Sequence, residues 1–249
     1  MSTRVIHVIW LREVRVYAGA RAYGGLVTAF LAACGWTFVM ALRRGEGSVL
    51  QIQSLWGLAT ALWLPVLSSV LTMRLFAEEH ASGMLELLLA APIRERDVVI
   101  GKFLSALTIL AVALLLSLLT PVFILPLLSG AIQGNIHAAA FGVTYFVLLL
   151  QAATWCAIGV MTAVIFKNQA LSAVSALLLC GGLPTGVYFA ILAWSPVLRS
   201  EMAWMPSLVH VYDFSTGLLS SSVILLYMAI TIFCLFVCSK VLACLRLKG

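Results

Sequence analysis

Apolar residues in this chain come in long runs rather than alternations. Six such runs stand out, at about 22–42, 54–75, 103–128, 138–166, 170–194 and 222–245. A helix rises 1.5 Å per residue and the hydrocarbon core of a bilayer is about 30 Å thick, so each run can cross a membrane as a helix. The stretch from Phe103 to Phe166 has no Asp, Glu, Lys or Arg over 64 residues. That is too long for one span, and the turn-rich segment Ser129-Gly130-Ala131-Ile132-Gln133-Gly134-Asn135 divides it into two. Pro121 and Pro126 are expected to kink the third run or end it early. The pattern predicts an all-α polytopic membrane protein with six transmembrane helices.

The polar interruptions supply the remaining elements. Residues 1–21 read as an amphipathic interfacial (elbow) helix, with Arg4, His7, Arg12 and Arg15 on one side and Ile6, Ile9, Trp10 and Tyr17 on the other. Glu13 spoils that wheel. Residues 22–249 then form the six-span domain, with an inner loop at 74–102 and an outer loop at 195–221. The outer loop holds Pro196, Trp204, Pro206, Leu208, Val209 and Phe214, too apolar for a free loop, and is expected to form short helices dipping toward the bilayer. In the inner loop, Ser82 and Gly83 precede Met84-Leu85-Glu86-Leu87-Leu88-Leu89-Ala90-Ala91, a strong helix former ended by Pro92. Ser82 can cap this helix, and Glu86 lies near the positive end of its dipole. A short apolar helix flanked by charge and outside the membrane needs a partner surface.

Composition and charge fix the orientation. Only 10% of residues are charged, against about 25% in soluble domains. With the N-terminus in the cytoplasm, Arg4, Arg12, Arg15, Arg21, Arg74, Arg94, Arg96, Lys102, Lys167, Lys240, Arg246 and Lys248 fall inside. Arg43, Arg44 and Arg199 fall outside, and this asymmetry satisfies the positive-inside rule with both termini cytoplasmic. Trp56, Trp194 and Trp204 are then expected near the outer boundary. The positive charges sit at the ends of apolar runs, so the net charge of +6 is not a nucleic-acid signal. No cleavable leader pattern precedes the first run, which is expected to stay in the mature protein. All six cysteines lie in apolar runs and read as buried small hydrophobes.

The candidate chemistry is sparse. No acid or base lies deep in a span, which argues against an ion-coupled carrier. Gln151, with Thr154 close by, is the most polar mid-span position, either an interhelical hydrogen bond or a polar point on a translocation path. Gly101-Lys102 looks like the end of a phosphate loop, but Arg96 and Phe103 stand where Gly and Ser or Thr are needed. Glu78-Glu79-His80 lacks the second His of a zinc helix, and His7 lies inside while His137 and His210 lie outside. No catalytic group and no metal site is therefore assigned, and an intramembrane enzyme is the least favoured reading.

These residues resemble the ABC-2 type permeases of ABC transporters, nearest to the gliding-motility/copper-processing permease subgroup. The loop after span two in that family reads approximately Met-Arg, two apolar residues, Ala-Glu-Glu, then Gly-Thr-Leu-Glu-Leu-Leu-Leu-x-x-Pro, then Gly-Lys-Phe. This chain has Met73-Arg74-Leu75-Phe76-Ala77-Glu78-Glu79, Gly83 through Pro92 with Met84 in place of Thr, and Gly101-Lys102-Phe103. Leu11-Arg12-Glu13-Val14-Arg15-Val16-Tyr17 and Asp213-Phe214-Ser215-Thr216-Gly217 are similar to its N-terminal segment and outer loop. The resemblance implies a permease subunit of an ATP-driven exporter, itself without catalysis or cofactor, ATP and Mg being bound by the partner. It implies a cytoplasmic coupling helix in which Glu78, Glu79, Gly83, Leu85, Glu86, Leu88, Leu89 and Pro92 dock an ABC ATPase present in two copies. It also implies a second permease, the same chain or a relative, in a bacterial inner membrane. The alternative is an ATP-driven conformational transmitter that hands force to an outer-side partner and moves no substrate.

Overall fold

The computed structural model describes residues 2–44, 49–76, 94–128, 138–166, 168–182, 207–217 and 220–248. Helix α1 spans Ser2–Gly19, α2 Arg21–Arg44, α3 Val49–Thr72, α4 Glu95–Ser117 and α5 Leu119–Leu128. They are followed by α6 Ala138–Ile165, α7 Gln169–Leu177 with a π-helical turn at Leu178–Gly182, α8 Ser207–Ser215 and α9 Ser221–Lys248. Among the described residues no strand occurs. Five stretches are long and apolar enough to cross a membrane: Arg21–Arg43, Gln53–Phe76, Glu95–Phe123, Ala140–Ile165 and Ser221–Arg246. The chain is an all-α, multi-pass membrane protein. Of the run expected at 170–194, the described part is the shorter apolar helix Gln169–Gly182.

Helices α3 and α6 form the centre. Two-thirds of the apolar window of each is buried (67%), against 17% for α2 and 22% for α9, which turn most of their surface outward. Close backbone approach makes the centre possible. A Cβ on Gly57 of α3 would meet Thr144 Cγ2 at 2.7 Å and Val211 Cγ1 at 2.8 Å. A Cβ on Gly159 of α6 would run into Thr72, with Thr72 Cβ 2.9 Å away. Apolar burial gives helices little drive to associate in lipid, so such small-residue contacts carry the packing.

The third run departs from its expected limits in two ways. Helix α4 begins at Glu95 rather than near Phe103, its first turn carrying Glu95 and Asp97 where the helix dipole favours anions. Residues 95–102, expected in the inner loop, are therefore the start of this helix. At the far end the helix is interrupted at Leu118, as the prolines led us to expect. Pro121 has no N–H to give to the carbonyl four residues back, that of Ser117. The indole of Trp56 donates to that carbonyl instead, at 3.1 Å. Trp56 is thus 1% exposed inside the bundle, not an interfacial anchor facing headgroups. Trp194 and Trp204 lie outside the described residues. Five cysteines are buried, but Cys244 is exposed, because it sits on a face of α9 that no other described helix covers.

The segment 195–221, expected on the outer side, contributes α8, which packs into the bundle against α3 and α6. Val211 and Phe214 are fully buried. Gln53 Nε2 of α3 donates to the Ser215 carbonyl at 3.1 Å, satisfying one of the orphan acceptors at the end of α8.

Candidate functional site

The predicted docking residues Glu78, Glu79, Gly83, Leu85, Glu86, Leu88, Leu89 and Pro92 lie outside the described residues. Both stems of their loop are described, and α1 joins them. Three contacts hold α1 to the start of α4. A Cβ on Gly101 would meet Ile9 Cγ2 at 2.9 Å, so glycine lets the two helices touch. Trp10 Nε1 donates to Thr108 Oγ1 at 2.9 Å. Lys102 Nζ lies 3.9 Å from Glu13 Oε1.

Lys102 is the unusual member of the set. It is 1% exposed, and an ammonium buried without compensation is costly. Compensation comes from the Glu13 carboxylate, from the Leu75 carbonyl to which it donates, and from the Phe76 ring, whose centroid is 4.5 Å away. The last turns of the α3 segment present carbonyls at the negative end of the helix dipole, which favours a cation. Lys102 of one stem thereby closes the end of the other. The phosphate-loop likeness of Gly101-Lys102 has this packing role in its place.

Tyr17 of α1 makes a second closure. Its hydroxyl donates to the Leu71 carbonyl at 3.2 Å. Burial, then the neighbouring Tyr23, pushes the Tyr17 phenol well up from its ordinary value, so it remains a donor throughout the neutral range. The Tyr23 ring stands edge-on to Tyr17 at 4.4 Å, and the Arg74 guanidinium lies 5.9 Å from the Tyr23 centroid. Arg4, Arg12 and Arg15 remain exposed on the opposite face of α1. A further tie joins the start of α4 to the chain's C-terminal helix, where Arg246 Nη1 donates to Glu95 Oε1 at 2.7 Å.

Gln151 and Thr154 belong to a separate buried cluster between α6, α8 and α9. Gln151 Nε2 donates to the Tyr227 hydroxyl at 3.1 Å, and His210 Nδ1 lies 2.8 Å from the same oxygen. Thr154 Oγ1 donates to the Tyr227 carbonyl at 3.3 Å and lies 3.2 Å from Thr231 Oγ1. The cluster ties three elements together, with Gln151, Thr154 and His210 each at most 3% exposed. Reading the sequence missed His210, which was assigned to an outer loop. Its apolar neighbours Leu208, Val209 and Val211 were the available sign that it enters the bundle.

Residues 16–193, more than half of the chain, match a family described as ABC-2 family transporter protein. A search of curated proteins finds no match. The matched segment contains the loop, both its stems, and Gln151 and Thr154. It stops short of α8 and α9.

Proposed function

The chain belongs to the ABC-2 family of transporter proteins, and from that premise we propose that it is the permease subunit of an ATP-driven exporter, taking force from an ABC ATPase through the 74–102 segment. The family implies an ATPase partner and often a second permease. Six spans would make half a pathway, lined where two permeases meet, in a bacterial inner membrane with both termini cytoplasmic.

The observation that carries this reading is the closure of the loop's two stems on each other. Lys102 links α4 to the end of the α3 segment, and Tyr17 and Glu13 pin α1 across both. A flexible loop would absorb a push at its tip. Stems joined by buried polar contacts would pass the push to spans two and three together. The packing of Thr72 against Gly159 extends that unit to α6.

A second reading is supported by the link between α3 and α8. Gln53 of span two holds the end of α8, so movement of the inner loop has a direct route to the outer segment. A transmitter that moves no substrate would use this route alone. It would tolerate apolar replacement of Gln151 and Thr154 but not of Gln53.

The test is affinity purification of the full chain from its own membrane with mass spectrometry of what accompanies it. An ATPase carrying nucleotide-binding motifs should co-purify, and Glu86→Lys with Leu88→Asp should reduce its recovery by at least roughly tenfold, as for loss of a docking hot spot. Undiminished recovery in that variant removes the coupling assignment. Absence of any ATPase from the wild-type preparation removes the exporter reading.

A further inference from the structure

A groove of about 230 Å³ runs between α4 and α9 on the surface of the bundle. Its long walls are apolar, built by Ile100 of α4 and by Ile232, Leu235 and Phe236 of α9. Ile100, Ile232 and Phe236 are 37%, 64% and 53% exposed, so the groove opens outward. Its other end is polar. Arg96 and Ser239 line it there, and the Lys240 ammonium leans over the Phe236 ring, 5.4 Å from the centroid. Both cations are exposed, and among the described residues neither makes an ion pair. The carboxylate next to Arg96 in sequence, Glu95, is held by Arg246 at 2.7 Å. Asp97 is buried and does not line the groove.

We propose that this groove binds an anionic phospholipid, its phosphate at the end marked by Arg96 and Lys240 and one acyl chain along Ile100, Phe236 and Ile232. From Lys240 to Ile232 the helix rises about 12 Å, so the cations and the apolar wall stand at headgroup and chain depth respectively. Basic pockets between spans on the cytoplasmic side are suited to such headgroups. A second copy meeting this face about a two-fold axis would set the same cations against themselves. A lipid phosphate brings the opposite charge. The groove lies partly on α9, beyond the family match, and the inference rests on the proposed orientation only for naming the inner leaflet.

The test uses the full chain, with whatever subunits accompany it, in nanodiscs containing phosphatidylglycerol that carries a photoactivatable acyl chain. Adducts should map to residues 96–100 and 232–239. Unlabelled phosphatidylglycerol should compete, whereas phosphatidylcholine and inorganic phosphate should not. Each cation removed, as in Arg96→Gln or Lys240→Gln, should weaken binding roughly fivefold, with the unfolding temperature in phosphatidylcholine nanodiscs unchanged. Ile232→Trp, which fills the groove and keeps both cations, should also lose the adducts. Equal competition by phosphatidylcholine would reduce the site to ordinary lipid contact, and competition by inorganic phosphate would make it an anion site. Undiminished labelling in the variants would equally overturn the proposal. ATPase recovery is scored on the same sample, so failure of the exporter reading and failure of the lipid site are separate results.

Discussion

Lys102 and Glu13 carry the most consequential pairing at the level of single residues. Each looks like a fault when its own helix is considered alone: Glu13 interrupts an apolar wheel, and Lys102 sits fully buried at the head of a span. Together they join α1 to both stems of the inner loop. Glu13→Gln should destabilise the protein by about 1–3 kcal/mol, because the buried ammonium loses its counter-charge. Adding Lys102→Met should recover at least half of that loss, since removing both charges of a buried pair is often near neutral. Thermal unfolding of the two single variants and the double variant measures this, and additive losses would show that the two residues do not act as a pair. The wheel could reveal the amphipathic pattern of α1 but not the partner of Glu13, which lies 89 positions along the chain. For the same reason the sequence shows Lys102 as an inner-side charge and as part of Gly101-Lys102-Phe103, but not as the buried partner of Glu13.

The helices themselves follow from their residues with few surprises. Five of the six apolar runs give span-length helices among the described residues, and the kink or early end expected of the third run from Pro121 and Pro126 falls at Leu118. What the sequence could not reveal is how the break is mended. The Ser117 carbonyl takes the Trp56 indole N–H at 3.1 Å, which holds α3 to α4 near the end remote from the loop. Trp56→Phe keeps the ring and removes that donor. It should cost about 1–3 kcal/mol for the buried carbonyl left unsatisfied, read as a lower unfolding temperature in detergent. An unchanged value would mean that Ser117 finds another donor. Helix α3 also holds Pro65 midway between its two glycine-packed ends, and Gly181 of the π-helical turn rests 3.7 Å from Pro65 if given a Cβ. The π turn left no sign in the sequence. Helix α8 was legible as something more than a loop from its apolar content, though its depth and the burial of His210 were not.

At the scale of the whole molecule, the all-α membrane architecture was legible from hydropathy, and the family from the motif at 73–103. A chain with so little polar surface has more charged residues between spans two and three than in any other connection, and that is where the proposed partner would dock. The described structure adds that this loop stands on a joined base formed by α1, the end of the α3 segment and the start of α4. The base continues through Thr72 and Gly159 into α6, and from α6 through Gln151 and Thr154 to α9. The central claim is that the apolar segment Met84–Ala91 between these stems docks an ATPase. It is tested most directly by placing a photo-reactive phenylalanine analogue at position 88, in place of Leu88, and irradiating intact membranes. The account predicts one dominant adduct, of this chain with a nucleotide-binding subunit, and its loss when Glu86→Lys is added. Adducts with lipid alone, or an ATPase adduct equally strong from position 202, expected on the outer side, would contradict it.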